Sequence, residues 1–551
     1  MDLKQELIER LENALDAYTE AEGVERPESI EVAVEVPRNR EHGDLATNLA
    51  MQLTKVMKRN PRQVAEELLS HLQGEGLVEG HSIAGPGFIN FKLSSEATTG
   101  VLKKIAAERE AYGHAAPGTG DKVLIEFVSA NPTGPLHIGH ARGAIVGDVL
   151  GRLLEAAGHQ VTREYYFNDA GVQMNLLGNT LRLRVLEQLG EDVTFPEPKV
   201  DPETGESHAQ YYRGEYMIEI AKLMVEELGE EQAAAPAKQN PPDIKAYRDF
   251  AVREILKTID EDLKELGIDF DSWFSETTLH ESGEVGATLE ELRERGRLFD
   301  KDGATWLKTT DYGDEKDRVV VKSDGNYTYV TPDIAYHRDK YARGYDRLIN
   351  VLGGDHHGYV PRLRAAVAAL GHPYENLQCV IVQMVSLLKS GETMKLSTRS
   401  GEFITLKQMR EELGTAVVRY FFAMRSPDTQ MTFDWDLAKD TSMDNPVYYV
   451  QYAHARCCSL LRRAEEEGCA FQDMDSADLS LLELEEEQAI IQALGRLPEV
   501  VETATSDLAP QVVTNYLYDV AQIFHNYFTK GNTDASMRVI VTDKPDLTQA
   551  R

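Results

Sequence analysis

Cysteine is scarce in this 551-residue sequence, with four residues at Cys379, Cys457, Cys458 and Cys469 and no C-x-x-C pair. That pattern excludes a disulfide-stapled scaffold. A zinc site drawing on Cys458, Cys469 and a histidine lacks metal-ligand spacing, so no protein-bound structural metal is expected and four free thiols in a reducing cytoplasm are. Long apolar runs are missing too. No window approaches the ~18 uninterrupted apolar residues of a membrane span. The opening MDLKQELIERLENAL is charged and amphipathic, without the apolar stretch and cleavage site of a signal peptide. No membrane association and no export are therefore expected. Basic residues are outnumbered, 58 Lys and Arg against 92 Asp and Glu, for a net charge of −34. Such a field repels nucleic acid unless basic groups are locally concentrated, so charge alone argues against an RNA ligand. With 42% hydrophobic and 27% charged residues, the remaining composition is that of a globular enzyme, and its length suits three or four compact units.

Residues 1–115 alternate helical patterns with the β-rich runs SIEVAVEVP and GFINFKL and close in the turn-rich AYGHAAPGTGD, which predicts a small α+β domain and a linker. Residues 120–435 carry the strand candidates KVLIEFVSA, QVTREYYF, YTYVTP, DRLINVLGG and QCVIVQMV among helical patterns, which predicts an α/β fold with a parallel sheet. Within it, about 175–300 turns mostly helical and reads as an insertion. EQAAAPAKQNPPD reads as a loop there, and Val252, Ile255, Ile259, Leu263 and Leu266 keep helical spacing up to Gly267 at the C-cap position. Residues 440–551 are long and helix-periodic and predict an all-α bundle.

The most informative segment is EFVSANPTGPLHIGHAR, residues 126–142. A strand breaks at Asn131-Pro132-Thr133-Gly134-Pro135 and a helix opens with His137-Ile138-Gly139-His140. Two imidazoles three residues apart share a helix face where unpaired backbone N–H groups attract phosphate, and Gly139 permits a close backbone approach. In isolation an H-x-x-H is equally a pair of ordinary histidines beside a helix start.

The run ANPTGPLHIGHARGAIVGD resembles the HIGH signature of class I aminoacyl-tRNA synthetases, in the form found in the bacterial arginyl-tRNA synthetase family. YYFNDAGVQM (165–174), YVTPDIAYHRDKY (329–341), LGGDHHGYVPRL (352–363) and NPVYYVQYAHAR (445–456) are similar to stretches of that family in the same order. HGDLATNLAM (42–51) and AGPGFINFKL (84–93) resemble its additional N-terminal domain. The resemblance implies a Rossmann-like catalytic core with helical insertions, an N-terminal tRNA-binding domain and a C-terminal anticodon-binding domain. It implies activation of L-arginine by ATP with Mg²⁺, then transfer to the 3′ end of tRNA(Arg), by a cytoplasmic monomer without a tightly bound cofactor.

On that reading His137, Gly139 and His140 bind ATP and stabilise the reacting phosphates, with Gly354 and Ser397 also at the nucleotide. The family's mobile K-M-S-K-S loop is matched by Lys395-Leu396-Ser397-Thr398-Arg399. Thr398 replaces the usual second lysine, and the position before the HIGH turn where some relatives carry a compensating lysine is Gly134. The mobile cation must then be Lys395, Arg399 or Lys389. Arginine contacts are implied for Glu126, Asn131, Tyr329 and Asp333, and more weakly for Asp355 and His357; read alone, Asp333 is also a helix N-cap and Glu126 an edge-strand carboxylate. Asn168, Asp169 and Gln173 either touch substrate or cap the next helix. Tyr448, Tyr452, Arg456, Arg462 and Arg463 are the tRNA candidates, through stacking of unpaired bases. The family ordinarily continues past the equivalent of DLTQAR with another helix, so a shortened C-terminal bundle is expected. A different nucleotidyl transferase would share the H-I-G-H turn without needing the helical RNA module, and an RNA-binding derivative would not keep the histidines.

The irregular loop generates a test. Arg399→Ala should slow single-turnover adenylate formation by about 10²- to 10³-fold, and Thr398→Lys in that background should recover part of the rate. Wild-type speed in Arg399→Ala, with a large loss in Lys395→Ala, would move the role to Lys395.

Overall fold

The computed structural model describes residues 3–27, 29–37, 43–74, 76–200, 207–208, 211–394, 404–474 and 476–551. Chain contacts divide it into two units, one formed by 1–114, 448–502 and 515–551 and the other by 115–447 and 503–514.

The first unit opens with α1 (Leu3–Glu22), β1 (Leu45–Thr47), α2 (Leu49–Met57), α3 (Pro61–Ser70), β2 (Val78–Ala84), β3 (Phe88–Leu93) and α4 (Ser95–Glu108). Leu7, Leu11, Ala14, Leu15 and Tyr18 make one stripe along α1 and are buried with Leu49, Leu53, Ile89 and Phe91 around the antiparallel β1-β3-β2 sheet. SIEVAVEVP forms no strand; Glu35 makes a single bridge to Ala46. Its alternation is genuine, with Ile30, Val32 and Val34 buried, but the described segment lacks a continuous ladder.

The second unit holds β4 (Lys122–Glu126), α5 (Ile138–Ala156), β5 (Gln160–Phe167), α6 (Val172–Gln188), β6 (Lys199–Val200), β7 (Ser207–His208), α7 (Tyr216–Leu228), α8 (Glu230–Ala234), α9 (Ile244–Glu265), β8 (Ser272–Ser275), α10 (Glu276–Glu281) and α11 (Glu284–Glu294). It continues through β9 (Leu298–Lys301), β10 (Ala304–Leu307), β11 (Arg318–Val321), α12 (Val330–Ala342), β12 (Arg347–Gly353), α13 (Val360–Ala369), β13 (Leu377–Val382), β14 (Val385–Lys389), β15 (Glu392–Met394), α14 (Leu406–Leu413), α15 (Thr415–Ala423), β16 (Met431–Asp434) and α16 (Trp435–Lys439). Five strands form one parallel sheet in the order β13-β12-β4-β5-β8. Val123, Leu124 and Ile125 have no exposure, as expected for a central strand covered on both faces. Gly147 makes that cover tight, since a Cβ there would stand 2.2 Å from the Phe127 ring.

Three sequence expectations change. YTYVTP is no strand of this sheet: α12 begins at Val330, with Pro332 in its first turn where a missing N–H costs nothing. The helical insertion at 175–300 also contributes a sheet strand, because β8 adds to the edge beside β5. EQAAAPAKQNPPD is partly helical, as its alanines favour helix and Ala233 and Ala234 are buried.

The chain continues through α17 (Pro446–Glu466), α18 (Glu485–Gly495), α19 (Leu497–Ser506), α20 (Gln511–Thr533) and α21 (Pro545–Ala550), of which residues 448–502 and 515–551 belong to the first unit. Within that unit Gln492 Nε2 donates to Asp44 Oδ1 at 2.6 Å, and a cavity of about 520 Å³ lies among Leu45, Leu77, Val101, Tyr112, Ile491 and Ile523.

Glu164 of β5 has no exposure and accepts from Arg343 at 2.6 and 2.9 Å, Tyr336 Oη at 2.6 Å and Ser272 Oγ at 2.8 Å. Burial alone would raise its pKa; the bonds from Arg343 and Tyr336 and the charge of Lys340 hold it below the ordinary carboxylate value. Glu164→Ala strands this donor set and should cost about 3–5 kcal/mol in urea unfolding, with Glu164→Gln milder. Equal stability of Glu164→Ala and wild type would refute this account.

Candidate active site

The sheet order reverses between β4 and β12, and in parallel α/β sheets the ligand crevice opens at the carboxyl ends of the strands flanking such a switch. β4 ends at Glu126 and β12 at Gly353, so the segments that follow face that crevice. The chain leaves β4 through Val128 and Ser129 at φ 66° and 41°, two consecutive non-glycine residues in the left-handed region. For β-branched Val128 this is a costly conformation that its surroundings must impose. Tyr165 Oη supplies part of that constraint, bonding to Ala130 N at 3.2 Å and Ala130 O at 2.9 Å.

His137 is the N-cap of α5. Its Nδ1 accepts from Gly139 N at 3.1 Å, and His140 Nδ1 accepts from His137 N at 3.3 Å. The rings lie 3.9 Å apart. An Nδ1 that accepts a backbone N–H carries no proton, so each imidazole bears its proton on Nε2 as a neutral donor. Burial lowers His137, and burial with the charge of His137 pushes His140 down to about 3. Gly139 also makes room for the capping ring, since a Cβ there would stand 2.9 Å from His137 Cε1. Ile138 N donates to Ile404 O at 3.2 Å and Leu406 N to Leu136 O at 2.9 Å, joining this turn to 404–406. Lys395, Ser397, Thr398 and Arg399 lie outside the described residues. Lys389 sits 4.7 Å from the centroid of the buried Trp435 ring on β14.

A second set of side chains, carried by α10 and α12, forms an acidic group. Tyr359 Oη donates to Asp333 Oδ2, and Tyr166 Oη donates to Glu276. Burial, opposed by the Tyr359 bond and reinforced by the charges of Glu126 and Glu276, pushes Asp333 up to about 7. Burial and the same three carboxylates raise Tyr166 well above a phenol's usual value. Glu276 was missed in the sequence, for nothing in FSETTLHE separates it from an ordinary helix-start carboxylate; only the fold sets it beside Asp333.

The edge-strand reading of Glu126 requires a correction. It lies on a central strand and is buried, with Oε2 accepting from Lys340 Nζ at 2.5 Å and Oε1 from Ser129 Oγ at 3.0 Å. Each oxygen accepts one hydrogen bond, and the ammonium of Lys340 balances the charge. Tyr329 is 92% exposed, so the described geometry does not enclose it. Asn131 donates to Gln173 Oε1 at 3.0 Å. Asp169 holds the start of α10 through Thr277 N at 3.0 Å and Ser275 Oγ at 2.6 Å, and Asn168 closes its own turn on Ala170 N, so these two serve the backbone. Asp355 and His357 are exposed in the 3₁₀ turn Gly354–Tyr359, where Asp355 contacts His356 at 3.1 Å. A Cβ on Gly354 would meet Gln383 Oε1 at 3.0 Å, and Gln383 is a second residue with no sequence signal.

In the first unit, Tyr452 is half exposed, and Arg456 stacks between Tyr452 and Phe528 at 4.6 and 4.7 Å while donating to His525 Nδ1 at 2.8 Å. Arg456 therefore also ties α17 to α20. Arg462 bonds Ser459 and Arg463 pairs with Glu467 at 2.6 Å, both exposed, and Tyr448 is partly buried. Tyr518, 37% exposed and stacked on Tyr449 at 4.8 Å, joins this surface. Cys458 Sγ lies 3.5 Å from His454 Nε2. Among the described residues no group of three or more His, Cys, Asp or Glu is arranged to hold a metal.

A parallel sheet whose switch point is flanked by a histidine-capped helix fits the class I tRNA synthetases, and residues 101–425 match the family model described as tRNA synthetases class I (R), catalytic domain. Residues 2–93 match the arginyl tRNA synthetase N terminal domain and 450–551 the DALR anticodon binding domain. The arginine–tRNA ligase of Shouchella clausii is 46% identical over 536 residues, covering 97% of this chain and 92% of that protein. That of Bacillus subtilis is 44% identical over 530 residues, covering 96% and 92%. The chain belongs to the arginyl-tRNA synthetase family. The arginyl-tRNA synthetase structure from Thermus thermophilus, at 22% identity, superposes with a TM-score of 0.70 over 99% of this chain and 97% of that one and shares its fold. No helix among the described residues is long and apolar enough to cross a membrane.

The raised Asp333 gives a pH test. Folded, it holds its proton more tightly than the unfolded chain, so its stabilising contribution is lost as pH rises from about 4 towards 7. A bound cation expels that proton. Arginine affinity should therefore rise about tenfold between pH 6 and 8, with proton release seen by calorimetry in buffers of different ionisation enthalpy. Affinity independent of pH over that range would remove Asp333 from the binding group.

Proposed function

We propose that this chain is an arginine–tRNA ligase that joins L-arginine to tRNA(Arg) using ATP, and that the pairing of Asp333 with Glu276, together with the histidine-capped turn, carries this reading. A guanidinium is planar and presents five donors, and two carboxylates fixed by tyrosine hydroxyls suit it. Arginine's carboxylate attacks the α-phosphorus of ATP, the bond to the β-phosphate breaks, and pyrophosphate leaves. The 3′-terminal adenosine of the tRNA then attacks the mixed anhydride and AMP departs. No protein nucleophile is needed; positioning and charge stabilisation suffice. Neutral His137 and His140 offer Nε2–H to phosphate oxygens, and Mg²⁺ arrives on the nucleotide, whose phosphates supply the oxygens it prefers. In the loop of 395–399, Arg399 or Lys395 supplies the mobile cation.

We assign 1–115 to tRNA binding, 120–435 to catalysis and 440–551, with Tyr452, Tyr518 and Arg462, to the anticodon. Support comes from the exposed tyrosines beside arginine on α17 and α20. A monomer in the cytoplasm is the assembly we infer, in keeping with four free cysteines.

The test is arginine-dependent exchange of pyrophosphate into ATP, with and without tRNA. Exchange that needs both arginine and tRNA is expected; none under either condition would overturn the reading. Citrulline keeps the shape of arginine and loses the cation, so it should be activated about 10⁴-fold less well in kcat/KM, because it strands the acidic pair. Asp333→Asn and Glu276→Gln should each raise the KM for arginine with little change for ATP. Comparable activity on citrulline would remove the pocket assignment.

A further inference from the structure

Two residues beyond His140, α5 carries a charged side chain that neither substrate reading uses. Arg142 has no exposure, and its guanidinium donates from Nη1 to the carbonyls of Gln383 at 2.9 Å and Thr429 at 2.8 Å and from Nη2 to that of Ser426 at 2.7 Å. Among the described residues no carboxylate lies within ion-pair distance of it. Burial draws its pKa down, countered through space by Asp428, which the hydroxyls of Ser426 and Thr429 hold. A buried guanidinium loses much hydration energy, so a site that spends its donors on three backbone carbonyls needs those carbonyls held in place.

The carbonyls belong to two segments outside α5. Gln383 follows β13, its side-chain Oε1 lies 3.0 Å from the position of a Cβ on Gly354, and neighbouring Met384 is 75% exposed. Ser426 and Thr429 lie between α15 and β16, and β16 pairs in parallel with β14, which begins just after Met384. One side chain thus connects the helix capped by His137 to both segments. Lysine cannot replace it, since one ammonium cannot reach three carbonyls arranged about a fork.

We propose that Arg142 is a positioning residue for adenylate formation: it ties the 383–384 segment and the 426–429 loop to α5 and so sets the span between the histidine-capped turn and Gly354. The inference rests on the arginine-activation reading for its kinetic arm only. Misplacing reacting groups by about 1 Å costs on the order of 10²-fold in rate. Arg142→Lys should therefore slow single-turnover arginyl-adenylate formation about 10²-fold at saturating ATP and arginine, while the KM for arginine stays within about twofold. Ile259→Ala, a core change on α9 that lowers Tm without touching the crevice, is the control for general destabilisation. In hydrogen exchange, amides of 380–389 should exchange about tenfold faster in Arg142→Lys than in wild type, whatever the substrate.

The proposal is overturned if Arg142→Lys activates arginine at the wild-type rate, if it is slowed no more than Ile259→Ala at equal loss of Tm, or if exchange over 380–389 is unchanged. Failure of the wild-type enzyme to activate arginine would instead refute the activity, and the exchange arm would still decide the role of Arg142.

Discussion

Lys340 brings an ammonium group to zero exposure between two adjacent parallel strands, and the cost of burying that charge governs its surroundings. Its Nζ reaches Glu126 on β4 at 2.5 Å and Asn350 on β12 at 3.1 Å, residues paired in register, and lies 4.2 Å from the Tyr336 ring centroid. Asn350 in turn bonds His337 Nε2 at 2.9 Å, and His337 Nδ1 donates to the Asp333 carbonyl at 2.8 Å. Those bonds leave His337 neutral, in agreement with its fall to about 3 through burial and the charge of Lys340. The network fixes α12 against the two strands that create the switch point, and α12 carries Asp333. It also sets the charge of the pocket. Lys340 balances the charge of Glu126, so a ligand cation would meet Glu276 and, once its proton is expelled, Asp333.

The histidine turn follows the same economy of charge. A protonated imidazole would bind phosphate more strongly at rest, but Nδ1 of each ring is committed to a backbone N–H, and burial keeps both neutral. On the proposed reading, neutral donors at this turn would bind ground-state ATP modestly and gain as charge accumulates on the departing pyrophosphate, which is the differential that accelerates a reaction. Positive charge supplied by a separate segment can then act at the same phosphates without a fixed cation already saturating them.

The parallel strands QVTREYYF and DRLINVLGG, the strand-loop-helix order at the H-I-G-H turn and the amphipathic stripe of α9 were legible because each is a local pattern whose period matches its element. YTYVTP misled because its β-branched and aromatic residues outvoted a proline that fits a helix start equally well. Asp333 could be named from its segment, whereas its partners could not. Glu276 lies in a different helix, Tyr359 in a turn after another strand, and Lys340 acts through register between strands. Such partnerships are properties of topology. Glu126 shows the converse: its position was legible, but its occupancy by Lys340 was not.

The excess of acid bears on RNA recognition through the pairing of arginines more than through net charge. At physiological salt the field of distant carboxylates fades within about 8–10 Å, so an approaching phosphate responds mainly to the groups it touches. In a chain with 92 acidic residues, an exposed arginine can have a carboxylate competitor at hand, as Arg463 has in Glu467 and Arg253 in Glu227 and Glu254. Binding phosphate then requires breaking an intramolecular pair, which lowers the net gain. Base stacking meets no carboxylate competitor, because what lies on these tyrosine faces is Arg456 or another tyrosine. Exposed Tyr452 and Tyr518, with Arg456 stacked between Tyr452 and Phe528, therefore suit this acidic background better than a lysine-rich track would, and the cations there serve best where they stiffen the aromatic surface.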